Sequence, residues 1–194
     1  MRVISGRFKG HHLVSFKADH IRPTTDRVKE SLYNILQRDW SEAKVLDLFA
    51  GTGNLGIEAL SRGAPVVTFV ESHAVSLKIL QENLQKLKIE RNEYQLIRKD
   101  VFQYLKTVGQ TPNFEKFDIV FADPPFTQKI AHDVLTAYAA SGLWHPETVL
   151  AIESASTERL DDLYGEQIRI DAREFGDKIL SFFQAKSVTE EHGK

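Results

Sequence analysis

The chain contains no cysteine. That excludes disulfides, cysteine nucleophiles and thiolate zinc sites, and it fits a reducing compartment. No apolar run reaches membrane-spanning length, and the N-terminus lacks the apolar stretch of a secretory signal. The expectation is a cytoplasmic protein with no membrane partner. Internal repeats and low-complexity tracts are also missing, and nothing marks a second large domain. What remains is ordinary for a globular protein: 194 residues, 42% hydrophobic and 27% charged, enough for one sizeable core.

The net charge of −2 hides an asymmetry. Residues 1–29 carry seven basic residues (Arg2, Arg7, Lys9, Lys17, Arg22, Arg27, Lys29) against Asp19 and Asp26. The rest of the chain carries eighteen against twenty-five. A basic arm on an acidic body suits a polyanionic partner, although a solvated basic face has the same composition. Within the arm, Arg7-Phe8-Lys9 interleaves cations with an aromatic ring, a composition suited to phosphates and bases. Gly6 and Gly10 punctuate residues 2–17, which read as a β-hairpin or two short strands. His11 and His12 have no metal-like spacing to other ligands and read as surface or RNA-contacting groups. Pro23 bars a helix before it, a threonine at 24 or 25 caps one after it, and Val28, Leu32, Ile35 and Leu36 share its face.

From residue 44 onward, strand and helix patterns alternate. Strands are expected at 44–50, 65–71, 94–98, 117–122 and 148–152, and helices at 54–62, 73–88, 101–108, 128–141 and 156–164. Residues 109–116 read as a loop. The runs 166–174 and 178–185 flank Gly176-Asp177 as an antiparallel hairpin, and 187–194 reads as a disordered tail. Repeated β-α units imply an α/β fold, Rossmann-like, with a mostly parallel sheet and helices on both faces. The expected organisation is a hairpin extension over 1–22, one domain over 23–186, and the tail.

Val45-Leu-Asp-Leu-Phe-Ala-Gly-Thr-Gly-Asn-Leu-Gly56 stands at the centre of this pattern. An apolar strand turns through Gly51, Gly53 and Gly56 into a helix, and the free N–H groups of that helix start face a ligand. The glycine spacing alone serves several cofactor classes. Asp47 inside the strand suits a cationic group on the ligand and suits a pyrophosphate poorly.

Ligands of such sheets sit beyond the carboxyl ends of the strands. Four of those ends carry an acid: Asp47, Glu71, Asp100 and Asp123. Glu71 lies twenty residues past Gly51, where an acid accepts from ribose hydroxyls. Asp100 serves equally well as a helix cap or a cofactor contact. The sharpest stretch is Asp123-Pro124-Pro125-Phe126. Two prolines stiffen the backbone and free carbonyls as acceptors. A carboxylate, a carbonyl and an aromatic face then form a socket for a planar ring bearing an exocyclic amine.

These motifs resemble class I S-adenosylmethionine-dependent amino-methyltransferases. More narrowly, Arg2 to Gly10, Arg22-Pro-Thr-Thr-Asp-Arg27 and Leu46 to Leu60 resemble the RsmD-like family, bacterial 16S ribosomal RNA guanine-N2 methyltransferases. The resemblance covers almost the whole chain. It implies a class I methyltransferase sheet with S-adenosylmethionine held by Asp47, Phe49, Gly51, Thr52, Gly53, Gly56, Glu71, Ser72, Asp100 and Val101. It implies catalysis at Asp123, Pro124, Pro125 and Phe126. RNA contacts would come from Arg2, Arg7, Lys9, Arg22, Thr24 and Arg27. The implied partner is ribosomal RNA or the small-subunit ribonucleoprotein, with no metal and a monomeric enzyme. A DNA adenine-N6 or protein-amide methyltransferase fills the same socket, and a nicotinamide-dependent oxidoreductase explains the glycines and Glu71 but not Asp47 or the prolines.

Overall fold

Apolar runs bounded by glycine and acidic residues produce a single eight-stranded sheet in the computed structural model, which describes residues 1–15, 26–111 and 114–186. The elements are α1 (Asp26–Leu36), β1 (Lys44–Leu48), α2 (Asn54–Arg62), β2 (Val66–Glu71), α3 (Ala74–Lys86), β3 (Tyr94–Arg98), α4 (Val101–Val108), β4 (Phe117–Ala122), α5 (Ala131–Ala140), β5 (Trp144–Ala155), β6 (Leu163–Tyr164), β7 (Gln167–Phe175) and β8 (Lys178–Ala185). Strand order is β3-β2-β1-β4-β5-β8-β7-β6. The first five strands are parallel, and β8 enters antiparallel between β5 and β7. The chain winds outward from β1 to β3 and then returns to β4 on the other side of β1. The carboxyl ends of β1 and β4 therefore flank a topological switch point, where this architecture opens its crevice.

Side-chain alternation along β1 divides the core. Val45 joins Phe69, Ile119 and Phe121 under α1, α2 and α3, while Leu46 and Leu48 join Val70, Val120 and Phe183 under α4 and α5. Period two then points Asp47 toward the α2 side. Gly56 is where α2 meets the sheet. A Cβ there would stand 2.3 Å from the Phe69 ring, so only glycine allows the helix to lie this close.

Three expectations are corrected. Residues 156–164 do not form a helix: β5 runs on to Ala155, a turn follows, and β6 closes a short hairpin with β7 through Gly165 at φ 57°. This stretch is mostly polar, and Leu160 and Tyr164 are the side chains it sends to the core, too few for a helical stripe. The strand foreseen at 148–152 is longer because Trp144 already pairs with Phe117, with a register shift before Val149 that accommodates Pro146. The helix expected from residue 128 instead begins at Ala131, after a 3₁₀ turn over Phe126–Gln128.

The N-terminal arm is a strap that folds back on itself as a short antiparallel hairpin: Arg2 bridges His12, the Val3 N–H donates to the His11 carbonyl at 2.9 Å, and the Leu13 N–H donates to the Met1 carbonyl at 3.1 Å. Val3 and Leu13 are buried in the α1–α3 core. Arg22, Thr24, Lys17 and the tail at 187–194 lie outside the described residues.

Candidate active site

The first candidate side chain is Asp47, 2% exposed near the end of β1. Its Oδ2 accepts the Gly56 N–H at 2.8 Å, tying strand to helix across the glycine turn. Burial pushes its pKa up to about 7; the Gly56 hydrogen bond works against that rise, and the nearby Asp123 and Glu71 carboxylates add to it. Three acids from three strand ends thus share one electronegative crevice. Such a crevice attracts a cationic group and repels a pyrophosphate.

The turn itself is left-handed in three places: Phe49 at φ 57°, Gly51 at φ 55° and Gly53 at φ 87°. Phe49 is the unusual one, because side chains seldom occupy this region. Gly53 starts α2 without a side-chain cap of its own, and the positive end of the helix instead meets the Asp47 carboxylate through the Gly56 N–H. Thr52 is buried and its carbonyl accepts from the Asn83 amide at 3.0 Å.

Glu71 closes the other side of the turn. One of its oxygens accepts the Gly51 N–H at 2.9 Å and the other accepts the His73 N–H at 2.7 Å. Each oxygen keeps a further lone pair for a hydroxyl. Ser72 is exposed beside it. Asp100 is exposed and caps α4, accepting the Gln103 N–H at 3.0 Å, while Val101 is buried in the first turn of that helix. The capping role of Asp100 is thus realised.

Asp123 follows β4 directly, half-buried across the switch point from Asp47. Pro124 is buried and Pro125 exposed. The Pro125 carbonyl accepts the Gln128 N–H at 3.1 Å and is committed to the 3₁₀ turn. The Phe126 ring is half-buried, with the Lys178 ammonium 4.1 Å from its centroid.

The arm residues spread over a wider surface. Arg2 pairs with Asp26 at 2.8 Å at the start of α1, and Arg27 is exposed one residue on. Arg7 stacks on Phe8, pairs with Glu93, and its backbone N–H donates to the Ser61 carbonyl at the far end of α2. Because α2 runs back along the sheet, Arg7 and Lys9 stand at the amino edge, about 13 Å of helix away from the glycine turn. An open cleft of about 460 Å³ lies between the strap and α1, lined by Arg2, Ser5, Lys9, Glu30, Asn34 and Arg62.

Several functional connections escape sequence reasoning. Lys29 is fully buried and donates to Asn54 Oδ1 at 2.9 Å and the Arg2 carbonyl at 2.7 Å, beside Glu58 at 3.2 Å. Glu58 also accepts the Ile4 and Ser5 N–H groups. Glu153 and Lys178 form a second buried pair at 2.8 Å. Glu153 had a signal: like Asp47 and Glu71, it is an acid ending an apolar strand run.

Residues 1–184 match the family model described as Conserved hypothetical protein 95. The chain is 36% identical to Ribosomal RNA small subunit methyltransferase D of Haemophilus influenzae, over 82% of this chain and 81% of that protein. It is 34% identical to the Escherichia coli protein of the same name, over 79% of this chain and 74% of that one. Among solved structures, an Escherichia coli protein provisionally assigned as a methyltransferase superposes with TM-score 0.82 at 30% identity, covering 96% of this chain and 98% of that one. With its sheet order, its glycine turn and its Asp-Pro-Pro-Phe stretch after β4, the chain belongs to this family, the RsmD-like methyltransferases.

Proposed function

We propose that the protein transfers a methyl group from S-adenosylmethionine to the exocyclic N2 amine of a guanine in small-subunit ribosomal RNA. The observation that carries this reading is the position of Asp123-Pro124-Pro125-Phe126 at the switch point, facing Asp47 and the glycine turn. The ribosomal substrate follows the names of the relatives. The three-carboxylate crevice argues against a nicotinamide dinucleotide, whose pyrophosphate it would repel.

The residues fit the cofactor. Asp47 and the 51–56 backbone hold its methionine and sugar end, Glu71 takes the ribose hydroxyls through its remaining lone pairs, and Asp100 with the Val101 N–H reads the adenine. When bound, S-adenosylmethionine supplies an already activated methyl group and a neutral thioether leaving group. The protein's task is alignment. Asp123 and the Pro124 carbonyl accept the two amine hydrogens, which turns the nitrogen lone pair toward the methyl. Phe126 stacks on the base. Asp123 stabilises the positive charge that develops on nitrogen and need not remove a proton first. A paired base cannot enter this socket, so the target is flipped out or single-stranded. Arg2, Arg7, Lys9, Arg27 and, outside the described residues, Arg22 and Thr24 contact the RNA.

The test is labelled-methyl transfer to ribosomal RNA and to small-subunit particles from a strain lacking this protein, followed by nucleoside mass analysis. N2-methylguanosine as the labelled product is the expected result. Label in adenosine, in protein, or nowhere would refute the proposal.

A further inference from the structure

Phe126 is the aromatic wall of the proposed socket, and the proline turn is not all that holds it. The Lys178 ammonium lies 4.1 Å from the ring centroid. Lys178 opens β8 opposite Ala155, the last residue of β5, so it stands at the same carboxyl edge as Asp123. Its Nζ is 2.8 Å from Glu153 Oε2, and both residues are buried, at 7% and 1% exposure. Such a pair adds little to stability on balance, because desolvation offsets most of the Coulombic gain. Its contact with the ring beside Asp123 points to a different use.

We infer that Lys178, fixed by Glu153, is a positioning residue for the methyl-transfer reaction: its ammonium holds the Phe126 ring by one face and so presents the ring to the target base. The inference rests on reading Asp123–Phe126 as the base socket. A cation over an aromatic face is attracted by the ring quadrupole, and more strongly where water is excluded. Glu153 does two things here. It locks the ammonium in place. It also cancels the lysine charge, so the positive charge developing on the target nitrogen meets no net cation behind the ring. The tie runs from β8 through β5 to the turn after β4, three adjacent strands of the sheet.

Lys178→Met alone would leave the Glu153 carboxylate buried without its ammonium and endanger folding. The informative variant is Lys178→Met/Glu153→Gln, which removes both charges and keeps the volume. It is compared with Lys178→Arg, with Phe126→Leu and with the three changes combined. The double variant should fold, bind S-adenosylmethionine as the wild type does, and lose about tenfold in kcat/KM for RNA. Lys178→Arg, which also stacks on aromatic faces, should stay within about threefold. In the Phe126→Leu background, removing the pair should cost less than about twofold, because the contact is already gone. Unchanged kcat/KM in the folded double variant, or an equal loss with and without Phe126, overturns the inference. Fluorine NMR of para-fluorophenylalanine placed at position 126 supplies a readout that needs no substrate. The resonance should shift and broaden in the double variant, and an unaltered resonance overturns the ring hold. A responsive resonance in a protein that methylates no RNA would instead support the hold and refute the proposed function.

Discussion

Asn83 of α3 donates to the Thr52 carbonyl at 3.0 Å. The same side chain accepts the Val14 N–H at 2.7 Å and donates to the Val14 carbonyl at 3.0 Å. One fully buried amide thus clips the glycine turn and the end of the N-terminal strap together. Replacing it by leucine leaves three backbone groups without their partner. Asn83→Leu should lower stability by about 2–4 kcal/mol. It should also weaken cofactor and RNA binding together, measured by denaturant unfolding and by calorimetry with each ligand. Loss of one affinity alone would break the link between strap and turn.

Asp123→Ala tests the chemistry. Cofactor affinity should persist, since the turn and Asp47 remain. Turnover should fall about a hundred- to a thousand-fold, as when one well-placed electrostatic group is removed from a transition state. Single-turnover methyl transfer at saturating cofactor measures this, and near-normal turnover removes Asp123 from the mechanism.

Asp47 predicts a pH dependence. In the free protein burial holds its pKa at about 7, well above the 3.8 of an ordinary aspartate. A cationic ligand needs the carboxylate, so S-adenosylmethionine affinity should rise with pH up to about 7 and level off above it. Binding below that point should release a proton, visible as a dependence of the calorimetric heat on the buffer's ionisation enthalpy. The sign for stability is the reverse. The folded state holds this proton more tightly than the unfolded state, so the contribution is full below about pH 4 and is lost as pH rises to about 7. Asp47→Asn should therefore stabilise the free protein at pH 8 by on the order of 3 kcal/mol while abolishing cofactor binding. A destabilised Asp47→Asn at pH 8 contradicts the burial argument.

Charge reversal at Arg7 and Lys9 separates grip from chemistry. These residues stand at the amino edge of the sheet, a helix length from the socket. Arg7→Glu/Lys9→Glu should raise KM for RNA and flatten its salt dependence, with kcat and cofactor affinity unchanged. Unaltered RNA affinity would place the footprint elsewhere, toward Arg2 and Arg27.

Much of the site was legible because its parts are local. A run such as Val45 to Ala50, followed by three glycines and a helical stripe, has one reasonable conformation. The acids at 47, 71, 100 and 123 announce themselves by ending apolar strands. Residues 156–164 misled because propensity in a polar stretch is weak, and pairing of Leu163 with Ile168 decided the matter. The strap's glycines place its own antiparallel pairing within reach of the sequence. Its anchors to the body are side chains far along the chain, Glu58 for Ile4 and Ser5 and Asn83 for Val14, which no local pattern announces.

The α/β class, the glycine turn, the acids on its rim and the stiff Asp123–Phe126 stretch are readable from the chain alone, because periodicity and turn chemistry act within a few residues. Which of those groups meet is a matter of tertiary structure. Strand order brings the ends of β1 and β4 together, buries Asp47 so that its pKa rises, with Asp123 and Glu71 adding to the rise, and sets Lys178 against Phe126. Those contacts join residues tens of positions apart, and local pattern carries no record of pairings that only sheet topology and burial create.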